Sequence, residues 1–228
     1  MNIKAIVEEK VNGIWRDYQD EPFCKIPPLS VSETLDNGII FIGINPSLSE
    51  IERERLLGSK NASMEFYSLE QESNKNHRYF RKFSEIAQET GMPWGHLDLL
   101  YLRERQQKEI DRIIASRKGL DFIYRQLMVT KEVMDKILAK NEPIIFVVNN
   151  TLARRFLGKE QHNGVNVWMG YEFEWKDDFG TYFLGKHPFF FSSMLTGQRA
   201  LDIGSYERLI WHINFVKEKW VKSGDLPR

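Results

Sequence analysis

An unbroken apolar run that ends in a glycine and an asparagine–proline pair constrains this chain more than any other feature. Residues 39–42 are all β-branched or aromatic, which is typical of a strand buried on both faces in a parallel sheet. Gly43 lets another group approach the backbone, and Pro46 ends the strand because it has no N–H for a sheet ladder. Open α/β sheets bind ligands at such carboxyl ends, so Asn45 is a candidate site residue. The alternative is a simple Asn-Pro turn.

Helical and strand patterns alternate along the rest of the chain. The predicted helices cover residues 3–19, 49–57, 77–90, 104–139 with a break at Gly119, 151–157 and 205–220. The predicted strands after the first cover 96–102, 144–148, 165–175 and 181–184, with the last two forming a hairpin across 176–180. Residues 48–75 are predicted to form a long flexible segment, apart from the short helix at 49–57. Residues 185–188 are predicted to end the last strand.

This alternation predicts an α/β fold with three layers, α/β/α, and a largely parallel central sheet. The length of 228 residues suits one domain over residues 1–228, with a core at about 35–220 and an N-terminal helix at 3–19. The loop after residue 188 is rich in aromatic residues and leads to the final helix.

The composition is that of a globular protein and narrows the function classes. Lys plus Arg and Asp plus Glu number 32 each, which counts against a strongly basic nucleic-acid binder but allows a local basic face. The single cysteine, Cys24, excludes an internal disulfide and a cysteine-ligated cluster. The sequence has no apolar run of transmembrane length and no signal-peptide pattern, and its histidines lack metal-ligand spacing. We therefore expect a cytoplasmic monomer with no membrane association, metal or cofactor.

Two short motifs lie at predicted strand ends, Gly-Ile-Asn-Pro-Ser at residues 43–47 and His187-Pro188. In this order and at this separation they resemble the motifs of the uracil-DNA glycosylase superfamily, and the first is most similar to the mismatch-specific and thymine glycosylase branch. Further similarity lies in residues 76–80, 97–103, 144–156 and 193–199, so that the resemblance spans roughly 35–220. It implies a uracil-DNA glycosylase-like fold.

The resemblance also implies roles for particular residues. Asn45 would orient the attacking water, and His187 would donate to the leaving base. The implied substrate-binding residues are Gly43, Pro46, Ser47, Tyr79, Phe80, Asp98 and Asn149, with Tyr79 or Phe80 stacking on a flipped base. The implied DNA-binding residues are Lys186, Ser193, Met194, Leu195 and Arg199, with Met194 or Leu195 filling the space that the base leaves. The alternative for His187 is a solvated histidine in a loop. The alternative for Tyr79 and Phe80 is a helix face that packs on the core.

Asp98 departs from the resembled family, in which several branches carry a uracil-recognising Asn on the matching strand. An amide offers a donor and an acceptor, whereas an ionised carboxylate only accepts hydrogen bonds. If Asp98 faces the site, it suits a ring with two N–H donors better than uracil. The alternative is a structural Asp at a strand end, which caps the backbone or pairs with Arg103 or Arg105.

The resemblance implies a DNA glycosylase that hydrolyses the N-glycosidic bond of a modified or mismatched base in single- or double-stranded DNA. A non-catalytic member that binds nucleic acid or a nucleotide, and a hydrolase of free nucleosides, are the alternatives. We expect Asn45 and His187 to line one pocket at the carboxyl ends of neighbouring strands. We also expect a local basic face near that pocket, formed by Lys186, Arg199, Arg103 and Arg105.

Overall fold

The computed structural model describes residues 1–58, 64–70, 77–158, 161–162, 165–166, 168–197 and 200–223. Within them, the α-helices are α1 (Lys4–Asp17), α2 (Glu50–Gly58), α3 (Arg81–Thr90), α4 (Gln107–Ile114), α5 (Arg117–Leu138), α6 (Thr151–Leu157) and α7 (Ile203–Ser223). Short 3-10 helices cover Pro22–Cys24 and Arg78–Phe80. These bounds agree with the predicted helices, except in the long segment 104–139. None of the described helices is long and apolar enough to cross a membrane.

A six-stranded sheet forms the centre of the fold. The described strands are β1 (Leu29–Val31), β2 (Gly38–Gly43), β3 (Tyr67–Leu69), β4 (Trp94–Asp98), β5 (Ile144–Val148), β6 (Gln161–His162), β7 (Val165–Asn166), β8 (Glu174–Lys176), β9 (Thr181–Leu184) and β10 (His187–Phe191). The order in the sheet is β4-β2-β5-β10-β9-β8, with the first four strands parallel and the last two antiparallel. The prediction of a largely parallel central sheet is confirmed.

Helices cover both faces of the sheet, because the interior strands are apolar on both sides. Alternate residues of β2 belong to two different core clusters, with Ile40 and Ile42 in one and Ile39 and Phe41 in the other. The first cluster also contains residues of α1, α4, α5 and α6, and the second contains residues of α3 and α7. This arrangement is mixed α/β with helical layers on the two faces.

The break in the long helical segment lies before Gly119, which corrects its prediction as the break itself. Ser116 begins α5 as its N-cap, where its side-chain oxygen accepts a hydrogen bond from the Gly119 N–H at 3.0 Å. A Cβ at Gly119 would lie 2.0 Å from the carbonyl oxygen of Ile113. The glycine is therefore needed for close packing of α5 against α4 and not for a stop.

The His-Pro pair begins a strand, whereas the sequence predicted that it ends one. Gly185 has a φ of 59°, and the turn at Gly185-Lys186 pairs Leu184 with His187 across an antiparallel hairpin. The aromatic run 189–191, predicted as a loop, is the part of β10 that pairs with β5. Pro188 is accommodated because it lies near the beginning of the strand.

Three smaller differences concern the strands. β4 begins at Trp94 and ends at Asp98, so residues 99–102 lie beyond it. The segment predicted as flexible contains β3, which pairs in parallel with β1. The predicted long hairpin strand at 165–175 is replaced by β7, which pairs with β6, and by β8, which pairs with β9 as expected.

Candidate functional site

Four neighbouring strands place a row of residues along the carboxyl edge of the sheet. Gly43 is in register with Asp98, and Asn149 follows β5 directly, its N–H donating to the Ile42 carbonyl at 3.1 Å. Ser192 follows β10, and its N–H donates to the Val148 carbonyl at 2.9 Å. We call Asp98, Gly43, Asn149 and Ser192 the edge row. It lies where open α/β sheets bind ligands.

Gly43 has no side chain, and the carboxylate of the neighbouring Asp98 occupies the space that a side chain at Gly43 would fill. A Cβ at Gly43 would lie 2.2 Å from Asp98 Oδ1 and 3.1 Å from His96 Nε2. The Asp98 carboxylate therefore lies over the Gly43 backbone, on the same face as His96. The sequence prediction that Gly43 allows close approach of another group is confirmed.

Asp98 is not an ion-pair partner of either arginine proposed for it. Arg103 Nη2 lies 2.8 Å from Glu52 Oε1, and Arg105 Nη1 lies 3.8 Å from Glu50 Oε2. Within the described residues, the basic group beside Asp98 is His96, whose Nε2 lies 3.5 Å from Asp98 Oδ1. The Asp98 side chain is 13% exposed. The predicted pairing of Asp98 with Arg103 or Arg105 is therefore not seen among the described residues, and its carboxylate lies beside His96 instead.

Tyr79 closes the edge row from the side of α3. Burial raises the pKa of its hydroxyl, and the Asp98 carboxylate adds to this effect because a phenolate beside it would be repelled. The Asn149 side-chain amide acts on the same hydroxyl in the opposite sense and lowers its pKa. Phe80 instead stacks on Trp94 at 5.7 Å between ring centroids. Of the two predicted stacking residues, Tyr79 is the one that touches the edge row, and Phe80 belongs to the core beside it.

Two buried polar atoms at this edge have no hydrogen-bond partner within the described part of the chain. They are His96 Nε2 and Asn149 Oδ1. The two residues are only 6% and 3% exposed. Buried polar groups almost always have a partner, and an unpaired one costs about 1–3 kcal/mol. A bound water or a ligand at this edge would supply the missing partners.

Asn45 lies two residues beyond Gly43 on the same edge, with its amide nitrogen already occupied. Nδ2 donates to the Glu104 carbonyl at 2.7 Å and to the Pro46 carbonyl at 3.0 Å. Both N–H groups are therefore used to fix the turn, and Oδ1 is the atom left to meet a ligand or water. Pro46 is buried beside it, while Ser47 is exposed.

His187 lies at the opposite edge of the sheet from Asn45, which overturns the predicted shared pocket. It begins β10, and β10 runs parallel to β5 and β2, so it is level with the first residue of β5. Its ring nitrogens lie 3.3 Å from the Ile144 carbonyl oxygen and 3.2 Å from that of Leu138. It is 1% exposed, and burial lowers its pKa. His187 is a buried structural residue in this fold.

The predicted basic face is not assembled either. Lys186 lies beside His187 at the amino edge, where Nζ donates to Asn141 Oδ1 at 2.8 Å. Arg103 and Arg105 are engaged with acidic residues of α2. Arg199 lies outside the described residues. Within the described part of the chain, no cluster of unpaired cations therefore marks a phosphate-binding surface at this edge.

The predicted DNA-entering tract 193–195 does begin at the carboxyl edge, directly after the edge row. Ser193 is exposed and Met194 half-buried, whereas Leu195 is 3% exposed and belongs to the core cluster under α3 and α7. In this conformation Leu195 is therefore unable to act as a wedge, and Met194 is the apolar side chain nearer the surface.

The sequence analysis gave no role to His96, which the structure places against Asp98. The signal was present, because residues two apart on a strand lie on the same face. A His-x-Asp pair at the end of a strand therefore predicts adjacent side chains. Comparisons with protein-family models, with curated proteins and with solved structures gave no match, so the geometry and chemistry of the edge row carry the functional interpretation.

Proposed function

We propose that the carboxyl edge binds a nucleobase and that the chain is a DNA glycosylase-like hydrolase, which cleaves the N-glycosidic bond of a modified or mismatched base. The observation that carries the proposal is the edge row itself, with two buried unpaired polar atoms beside it and Tyr79 against it. A base has a polar edge and flat apolar faces, which match a polar row beside an aromatic ring.

The resemblance to uracil-DNA glycosylases supports the same site from the sequence. Its first motif, the strand ending in Asp98 and the strand ending in Asn149 are distant in the chain, yet β4, β2 and β5 are adjacent in the sheet. The resemblance is weakened at its second motif, because His187 lies at the other edge. The proposal therefore rests on the first motif and the edge row, without the His-Pro pair.

Cleavage of the base–sugar bond needs donors for the negative charge that develops on the departing base. With His187 excluded, two groups at the edge that are able to donate are the Tyr79 hydroxyl and His96 Nε2 in its protonated tautomer. The water needs orientation, and Asn45 Oδ1 is able to accept one of its protons. An amide is not a base strong enough to deprotonate that water, so Asn45 acts by position.

The test is base release from oligonucleotides that each carry one modified or mismatched base, in single- and double-stranded form. We expect release of at least one base by the wild-type chain and about a hundredfold slower release by Asn149→Ala, because removing one placed donor or acceptor costs that much in many enzymes. His187→Gln should release the base at the wild-type rate. A fall in the rate for His187→Gln with an unchanged rate for Asn149→Ala would contradict the proposed site.

Base binding without cleavage is the second candidate, favoured by the position of His187. The donor that the resembled family uses for the leaving base is absent from this edge in the described residues, and Asn45 offers only an amide oxygen. In that case the oligonucleotides or nucleosides bind and stay intact. Weak dependence of that binding on salt would favour free nucleosides over polymer DNA, because neutralised phosphates release counterions.

A further inference from the structure

We propose that the ligand's recognised edge carries two adjacent N–H donors followed by a carbonyl, as in guanine, and that Asp98 accepts both N–H groups. This inference rests on the proposed base-binding function and names the chemical class of the base. It concerns recognition at the edge row and is independent of whether the glycosidic bond is then cleaved.

The carboxylate of Asp98 sets the first half of the pattern. Its two oxygens only accept hydrogen bonds, and their spacing suits two parallel N–H groups. Asp98 lies over Gly43 beside His96, and Arg103 and Arg105 pair with glutamates instead of with it. Uracil presents one N–H between two carbonyl oxygens, and one of those oxygens would meet the carboxylate. That mismatch costs about as much as a buried unpaired acceptor, roughly 1–3 kcal/mol.

The amide of Asn149 extends the pattern on the other side of Gly43. Its Oδ1 is buried without a hydrogen-bond partner among the described residues. The edge row therefore presents acceptors from both neighbours of Gly43. An acceptor-rich site favours a ligand rich in N–H groups, because each buried acceptor then gains a partner.

His96 supplies the complementary donor. Its Nε2 is buried without a hydrogen bond and lies 3.5 Å from Asp98 Oδ1. With its proton on Nε2, the imidazole offers a donor near Asp98 Oδ1. A ligand that meets both carboxylate oxygens and this donor needs two N–H groups followed by a carbonyl. The 2-amino group, the N1–H and the O6 carbonyl of guanine supply that pattern.

The experiment compares binding of guanosine, inosine and uridine, and base release from oligonucleotides containing guanine, hypoxanthine or uracil. Guanine and hypoxanthine differ by the 2-amino group alone, so their ratio isolates the second donor. The variants are Asp98→Asn and the matched control Asp111→Asn, an exposed carboxylate on α4. Thermal unfolding of each variant establishes that it is folded.

We expect the wild type and Asp111→Asn to bind guanine about tenfold or more tightly than hypoxanthine, because guanine makes one additional hydrogen bond through its 2-amino group. Asp98→Asn should lose most of that preference and gain affinity for uracil, because the amide supplies a donor. Equal preferences in wild type and Asp98→Asn, or a wild-type preference for uracil, would overturn the inference.

The same experiment separates the inference from the proposed function. Release of uracil with no preference for guanine leaves the glycosylase proposal standing and overturns the inference. Binding of guanine that depends on Asp98 without release of any base supports the inference and contradicts the hydrolase. Absence of binding and release for all three bases contradicts both.

Discussion

At the scale of single residues, Gly43 determines where Asp98 is able to lie. We predict that Gly43→Ala weakens base binding at least about tenfold, because the new methyl group would lie 2.2 Å from Asp98 Oδ1 and must displace the carboxylate. The matched control is Gly58→Ala on α2, where no neighbour lies within 4 Å of the added atom. Titration with the best-binding nucleoside measures the effect. Unchanged affinity in Gly43→Ala would show that the position of Asp98 is not needed.

Cys24 offers a residue-scale test of the packing beneath α1. It is 0% exposed and lies beside Trp15, and burial raises its pKa to about 12. We predict that a thiol reagent labels it in denaturant and not in the native protein, since the thiolate is the reactive form. Labelling is followed by absorbance or mass. Rapid labelling without denaturant would show that the segment around Cys24 opens independently of the core.

The candidate site was partly predictable at this scale. Gly43 and Asp98 were found because a glycine at a strand end and a charge in an apolar strand are local signals. His187 was misplaced because a short motif does not specify which end of a strand it occupies. Here the turn at Gly185-Lys186 decides that question, and the pairing of β10 with β5 confirms it.

At the scale of elements, α2 depends on ion pairs more than on packing. It has no buried residue, and Arg53–Glu104, Arg103–Glu52 and Arg105–Glu50 connect it to the segment after β4. The Arg105–Glu50 pair is exposed on both sides, and such pairs contribute about 0.2–1 kcal/mol each and weaken with salt, whereas Arg103 and Glu104 are largely buried and their pairs are screened less. We predict faster amide hydrogen exchange in residues 50–58 at high salt, with α3 as the internal control because its apolar face is buried. Equal exchange at low and high salt would contradict this role of the ion pairs.

The hairpin between β9 and β10 confers a pH dependence on stability through His187. Burial lowers the pKa of His187 from 6.5, so the unfolded chain binds more protons than the folded one below that pH. We predict full stability above about pH 6.5 and a progressive loss as the pH falls below it. His187→Gln should show a shallower decline in chemical denaturation at a series of pH values. Identical slopes for the two proteins would mean that His187 does not titrate differently on folding.

The elements themselves were predictable where their pattern is local. The helical spacing of 3–19 and the apolar run 144–148 correspond to α1 and β5. β10 was missed because a strand buried on both faces has no alternation to distinguish it from an apolar loop. β3 was missed because it is stabilised by pairing with β1, a segment distant in the chain, and not by a local sequence pattern.

At the scale of the whole molecule, the fold class followed from the alternation of helices and strands, while the strand order did not. The order β4-β2-β5-β10 depends on contacts between segments far apart in the chain, and short motifs carry no information on them. This is also why the first motif was predicted at the correct end of its strand and the second motif at the wrong end. Strand order determines which strand ends meet, and that becomes visible only when the sheet is assembled.

The edge row has a kinetic consequence because its four members come from four separate strands. Closing such distant pairs is slow, and β2 with β5 are the two neighbouring strands farthest apart in the chain, so we expect the row to form late, when these two strands pair. A fragment that stops before β10 lacks one wall of the row however well its helices form. A base that binds only the completed row would shift the last strand-pairing equilibrium toward the paired state by mass action. The rate of ligand binding during refolding would then report when β2 pairs with β5.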